Sequence, residues 1–416
     1  MSIIRARQGN ETDLERFRQQ ADLWEHRIHA LVALCDTDEG KTHSVHGPLA
    51  GVTVGVKDII DVVGVATRNG SDACKDAPPA TKDASVVASL RAAGARIVAK
   101  TTTTEFAFTD PTACRNPFDL NRTPGGSSSG SGAAVAAGLV DIGLGTQTAG
   151  SLCRPAAYCG VVGFKPSYAL LSTIGVTPLS PSFDSVGIIA GTVELARSAF
   201  AAMTTSTVQT HDMSSVTAIC GLWNTSVVPY ADTLAAFNDA ATVLATLGLG
   251  TEQTTLQADV EQIVTAHRTV MTYEAAMAHG AILSDARADL LKPKFAAGLR
   301  SGTAISSDAA ARAAEYLAEA KRAFWAGLAG VDVVLTLPVP DGPPLIDGTT
   351  GYQDWLTPWT VFGGPLICLP WGLDRLKRPR SVMLAARPGQ DAQLLSIAAK
   401  LEALGPSRPL PQLPRR

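Results

Sequence analysis

The chain has 416 residues, of which 46% are hydrophobic and 18% charged, enough for two average domains or one large α/β domain with a core that needs no disulfide or metal staple. Its 35 basic and 38 acidic residues leave a formal net charge of −3, so no global field recruits nucleic acid or anionic lipid. A small molecule or another protein is the partner to expect.

The seven cysteines (Cys35, Cys74, Cys114, Cys153, Cys159, Cys220, Cys368) are scattered without zinc-like spacing, which favours reduced, mostly buried thiols. The opening "MSIIRARQGN" has no apolar core ahead of its charges, so no secretory signal is expected. No apolar run approaches the roughly 20 residues of a membrane helix. A cytoplasmic location follows as an expectation.

In chain order, residues 11–35 read as a helical leader with Leu14, Phe17, Ala21 and Trp24 at helical spacing. "GVTVGVKD" reads as a strand. "DASVVASLRAAGARIVAKT" predicts an N-cap at Asp83, a helix through Leu90, a stop at Gly94 and a short buried strand, "RIVA". "SVTAICGLW", "DVVLTLP" and "SVMLAA" are further strand-like runs. Ser307–Leu328 predicts a helix whose stripe of Ala310, Ala313, Leu317, Ala320 and Phe324 is core packing. The last helix starts near Asp391, and the proline-rich tail 405–416 is expected to be extended. Residues 201–270 and 285–310 are Ala/Thr-rich and carry no chemical pattern, so a substrate-specific subregion is expected between about 200 and 360. Strands alternating with helices imply an α/β fold: one large α/β/α domain over residues 1–416, with a central mixed, twisted sheet covered by helices on both faces.

The stretch "TPGGSSSGSGAAVAAG" (123–138) holds four serines and five glycines, and Ser151 follows its last glycine by thirteen residues. It is no phosphate cradle. The dinucleotide pattern G-x-G-x-x-G is missing, and Cys35 stands where a Walker loop ending in Gly40-Lys41-Thr42 would need glycine. Ser151 does not sit in a G-x-S-x-G elbow. His267 and His279 fall in a helical region and read as surface or satisfied core residues. His43 and His46 have a spacing a metal could use, without a carboxylate cluster to support it. A lysine can be the base if burial holds it neutral. Lys57 lies among Val54, Val56, Ile59 and Ile60; locally it could equally snorkel to solvent or pair with Asp58.

"GGSSSGSGAAVAAG" followed by "GTQTAGSLCRPAAYCGVVGFKPS" resembles the core block of the amidase signature family of serine amidohydrolases. "GPLAGVTVGVKDIIDVVGVATRNGS", "ASVVASLRAAGARIVAKTTTTEFAF", "NPFDLNRTPGGSSSGS" and "LSPSFDSVG" extend the resemblance, which is dense over about residues 47–191 and returns in "PWTVFGGPLICLPWG". It implies a Ser–cis-Ser–Lys triad: Ser151 as nucleophile, Ser127 as relay after a cis Gly126–Ser127 peptide, and neutral Lys57 as base. The N–H groups of Thr148, Ala149, Gly150 and Ser151 would form the oxyanion hole. A serine hydroxyl needs such activation, since it is a poor nucleophile until a base takes its proton.

Some positions depart from the family pattern. Gln147 stands where the family commonly has an acid, and Ala149 where it has a glycine. Arg154 comes one place later than the family's arginine, so that residue's role does not carry over. The resemblance implies an amidohydrolase acting on a small amide, without metal or organic cofactor, and makes a homodimer an expectation. Two alternatives are the A subunit of a tRNA-dependent amidotransferase and a non-catalytic binding protein on the same scaffold. Ser128, Phe106 and Tyr158 are candidates for touching substrate, with Phe108, Trp355 and Trp359 as further aromatic candidates.

Overall fold

The computed structural model of the chain describes residues 13–35, 46–204, 216–250 and 252–413. The first part runs α1 (Asp13–Ile28), β1 (Leu31–Leu34), β2 (Thr53–Lys57), α2 (Ser85–Ala92), β3 (Arg96–Thr101), α3 (Ser129–Ala136) and β4 (Ile142–Gln147). There follow α4 (Cys153–Tyr158), β5 (Val162–Lys165), β6 (Ser185–Ala190), α5 (Val193–Met203), β7 (Ala218–Trp223), α6 (Ala231–Thr246) and β8 (Glu252–Leu256). The last part comprises α7 (Val260–His279), α8 (Pro293–Thr303), α9 (Ser307–Gly327), β9 (Val333–Thr336), α10 (Thr357–Phe362), β10 (Leu366–Leu373), β11 (Pro379–Ala386) and α11 (Asp391–Leu404).

Among the described residues the strands form one mixed sheet of eleven, in the order β1-β3-β2-β4-β6-β5-β10-β11-β9-β7-β8. Its middle, from β4 to β9, is antiparallel; β3-β2-β4 on one side and β9-β7-β8 on the other are parallel. Every residue of β2, β4, β5, β6 and β9 is buried. Successive side chains of a strand point to opposite faces, so unbroken burial means that both faces are covered. One hydrophobic cluster runs from Phe17 to Leu401. Among the described residues no helix is long and apolar enough to cross a membrane.

Two expectations change. The helical leader ends at Ile28: His29 adopts φ 50°, the chain turns, and Leu31–Leu34 pair with β3 as an edge strand. Asp83 is not the cap of α2. Ala84 holds that place, while the Asp83 carboxylate accepts from the Val63 N–H and from Arg91, each at 2.8 Å.

Helix α3 shows why the serine-rich stretch is built of small residues. All eight of its positions are buried. A Cβ on Gly130 would lie 2.2 Å from the Ala30 carbonyl oxygen and 2.3 Å from the Thr102 nitrogen, so only glycine permits that approach. Two serines make the burial tolerable by bonding backbone: Ser129 Oγ to the Gly125 carbonyl at 2.7 Å, and Ser131 Oγ to the Leu144 carbonyl at 2.8 Å.

Candidate active site

Lys57 ends β2 with no exposed surface at all. The parallel register pairs Val56 with Leu144 of β4, so Lys57 ends its strand one residue short of Thr146. Lys57 Nζ lies 2.6 Å from Ser127 Oγ and 2.7 Å from Thr146 Oγ1. Burial pushes its pKa from 10.5 down to about 7, against the opposing pull of Asp184. The lysine neither snorkels nor pairs with Asp58, whose carboxylate is taken by buried Lys100 at 2.9 Å.

Ser127 follows a cis Gly126–Ser127 peptide. The carbonyl of that peptide is gripped by buried Arg154, through Nε at 3.1 Å and Nη2 at 2.6 Å, while Nη1 donates to the Gly351 carbonyl at 2.6 Å. The displaced arginine thus has a definite duty. It ties the serine loop to the 348–356 segment, and burial lowers its pKa to about 10. Just upstream, Gly125 has φ 87°, and a Cβ there would meet Pro155 at 3.1 Å.

Ser151 lies in the turn between β4 and α4, 6% exposed, and its carbonyl accepts from the Ser128 N–H at 3.1 Å. The carbonyls of the turn are tied one after another. Thr148's bonds His267 Nε2 at 2.8 Å, Ala149's accepts from Thr360 Oγ1 at 2.5 Å, and Gly150's accepts from the Arg154 N–H at 3.0 Å. In a planar trans peptide the N–H points opposite to the C=O, so these ties turn the N–H groups of Ala149, Gly150 and Ser151 the other way. Among the described residues, none of those three N–H groups donates to a protein acceptor.

Gln147 braces the turn from the inside. Its Oε1 accepts from the N–H groups of Leu152 at 3.1 Å and Cys153 at 2.9 Å, and its Nε2 donates to Thr360 Oγ1 at 3.0 Å. An amide here does what a carboxylate could only half do, because it also donates. Thr148 Oγ1 donates to Asp184 at 2.5 Å, and the other Asp184 oxygen accepts from the Leu179 and Ser180 N–H groups. Burial raises the Asp184 pKa to about 6 against those donors and Lys57.

The candidate contact residues are held by the protein itself. Ser128 Oγ is 3.3 Å from both the N–H and the C=O of Thr146, so its hydroxyl braces β4. Phe106, at φ 46°, stacks on Phe295 with centroids 4.7 Å apart and 15° between planes; Phe108 tilts against the same ring. Tyr158 is buried where α4 ends, its ring against Gly125 and Gly351. Trp355 Nε1 bonds Thr225, and Trp359 packs in a cluster with Trp223 and Phe324. Thr146, Asp184 and Thr360 belong to this site without having been singled out by the sequence. All three lie inside its motifs, yet nothing beside them tells which groups they reach. His43 and the Gly40-Lys41-Thr42 run lie outside the described residues. Among those described, no group of three or more His, Cys, Asp or Glu side chains is placed to hold a metal.

The Amidase family model matches residues 26–395. The chain belongs to the amidase family. Part of this chain is 50% identical, over 156 residues, to the A subunit of the glutamyl-tRNA(Gln) amidotransferase of Halobacterium salinarum; the match covers 36% of each chain. It therefore spans about a third of that relative's length. Over nearly the whole fold the chain is similar to a solved amidase, with a TM-score of 0.85 and 27% identity across 96% of this chain and 97% of that one. It is equally similar to a chain of an inhibitor-bound complex described for an s-triazine catabolic enzyme, with a TM-score of 0.85, 26% identity and coverage of 96% and 97%.

Proposed function

We propose that this amidase hydrolyses a small carboxamide, or a related C–N bond, through an acyl-enzyme on Ser151. The observation that carries the reading is the wholly buried Lys57, its Nζ 2.6 Å from Ser127 Oγ and its pKa brought down to about 7. A lysine neutral near the working pH can take a proton, and a serine hydroxyl beside it can relay one. Ser151 Oγ attacks the amide carbon; its proton passes to Ser127, whose own proton passes to Lys57. The N–H groups of Thr148, Ala149, Gly150 and Ser151 receive the oxyanion. The proton returns along the same path to the leaving nitrogen, the C–N bond breaks, and the acyl group stays on Ser151. Water, activated by the same relay, then releases the acid and restores the hydroxyl. Esters, with better leaving groups, are expected to be cleaved as well.

The test is hydrolysis of a panel of primary amides, anilides, ureides and p-nitrophenyl esters by the purified chain beside Ser151→Ala. Turnover lost in the variant supports the reading; equal turnover in both overturns it. The 50% identity with an amidotransferase A subunit favours a second reading, a glutaminase that works with a partner. Ammonia release from glutamine that appears only on adding amidotransferase partner proteins would single it out.

A further inference from the structure

Helix α7 contributes to the oxyanion turn although it lies more than a hundred residues downstream. His267 is 3% exposed, and its Nε2 lies 2.8 Å from the Thr148 carbonyl oxygen. A carbonyl only accepts, so the ring proton sits on Nε2 and the tautomer is fixed by this partner. The Phe183 ring packs on the imidazole with centroids 4.4 Å apart and holds it from the side. Burial presses the imidazole's pKa down to about 4, so it stays neutral, and its bond to Thr148 is the same throughout the neutral range.

The consequence lies on the other side of the peptide plane. A peptide between two rotatable bonds can present either its N–H or its C=O to a neighbouring pocket. Presenting the Thr148 carbonyl would set a negative end against a developing oxyanion. Turning it that way would also leave a buried imidazole N–H without a partner, which is costly.

We infer that His267 is a positioning residue of the reaction proposed above: by donating to the Thr148 carbonyl it aims the Ala149 N–H at the oxyanion of the Ser151 adduct. The inference rests on that reading of Ser151. Thr360 does the corresponding work one peptide later, through the Ala149 carbonyl.

The experiment compares His267→Phe, which keeps a ring against Phe183 but loses the donor, with His267→Gln, whose amide nitrogen donates from a similar reach. Each variant and the wild type are assayed for kcat and KM on p-nitrophenyl acetate, melted, and crystallised. The expected result is a kcat about 10–100-fold lower in His267→Phe with KM little changed. In the same variant the Thr148 carbonyl is rotated, and His267→Gln recovers kcat to within about fivefold of wild type. Wild-type kcat in His267→Phe overturns the proposal. So does a loss in His267→Gln as large as in His267→Phe and in step with melting temperature, which would mark a packing role. If the wild type cleaves no ester, the reading of Ser151 as nucleophile is the one in trouble. The crystal structures still decide the positioning claim: an unmoved Thr148 peptide in His267→Phe defeats it, and a rotated one upholds it.

Discussion

Lys57 carries the pH dependence at the scale of single residues. Only its neutral form can take the Ser127 proton, and its pKa lies at about 7. The value of kcat/KM should therefore rise with pH through about 7 and then level off, as a pH–rate profile reads directly. A flat profile between about pH 6 and pH 9 would sink the assignment of the base. Asp184 raises the Lys57 pKa, so Asp184→Asn should carry the acid limb to lower pH, while the asparagine oxygen can still accept from Thr148. Folding stability feels the same group. Lys57 titrates lower in the folded chain than at its ordinary 10.5, so between about 7 and 10.5 the unfolded chain binds more protons. The destabilisation is full below about 7 and fades as pH rises toward 10.5. Lys57→Met, a neutral chain of similar volume, should gain urea resistance over wild type at about pH 7 and lose most of that gain at about pH 10. The pairing of Lys57 with Ser127 was legible from the sequence because the family motifs carry both residues. Arg154 could be read only as a departure, since the carbonyl it holds belongs to Gly126, 28 positions away.

The turn from β4 into α4 is where single elements matter most. Gln147 serves the N–H groups of Leu152 and Cys153 from inside the protein. Gln147→Leu would leave both unpaired in a buried place, at about 1–3 kcal/mol for each. The urea midpoint should fall accordingly; an unchanged midpoint would mean that these bonds do not brace the turn. Helix α7 clamps both this turn and the 178–182 loop beside it. His267 bonds Thr148, Glu274 takes the hydroxyls of Ser180 and Ser182, and His279 Nε2 lies 2.6 Å from the Pro178 carbonyl. Elements with a clear apolar rhythm, such as β2, α2, α9 and α11, could be read from the sequence alone. Strand β1 could not: its four residues follow a helix with only a bend at His29 between them, and their alternation is too short to stand apart from the helical pattern. The duty of α7 was equally hidden, because a side chain that bonds a distant carbonyl leaves no mark on the residues beside it.

At the scale of the whole molecule, dense resemblance and structural self-sufficiency do not coincide. Residues 47–191 hold Lys57, Ser127 and Ser151, yet β5 finishes its pairing on β10, and α4 packs on β10 and β11. A fragment of residues 47–191 would expose the β5 edge and the apolar side of α4. Expressed alone it should aggregate where the full chain does not, as size-exclusion chromatography and circular dichroism would report. A folded, monomeric fragment would refute the single-domain reading. The alternation of strands and helices indicated a mixed, covered sheet. The strand order did not follow from it, because β5 meets β10 across two hundred residues that no local pattern links.

The ties on the carbonyls of residues 148–150 also bear on how the proposed activity could be re-engineered. Backbone N–H groups have no side chain to exchange, so an alanine scan passes over them and a library confined to the pocket lining cannot improve them. His267, Thr360 and Gln147, which stand behind the turn, are the genetic handles on that part of the site. A directed-evolution campaign that leaves them fixed would vary which molecules enter while holding constant the field that meets them.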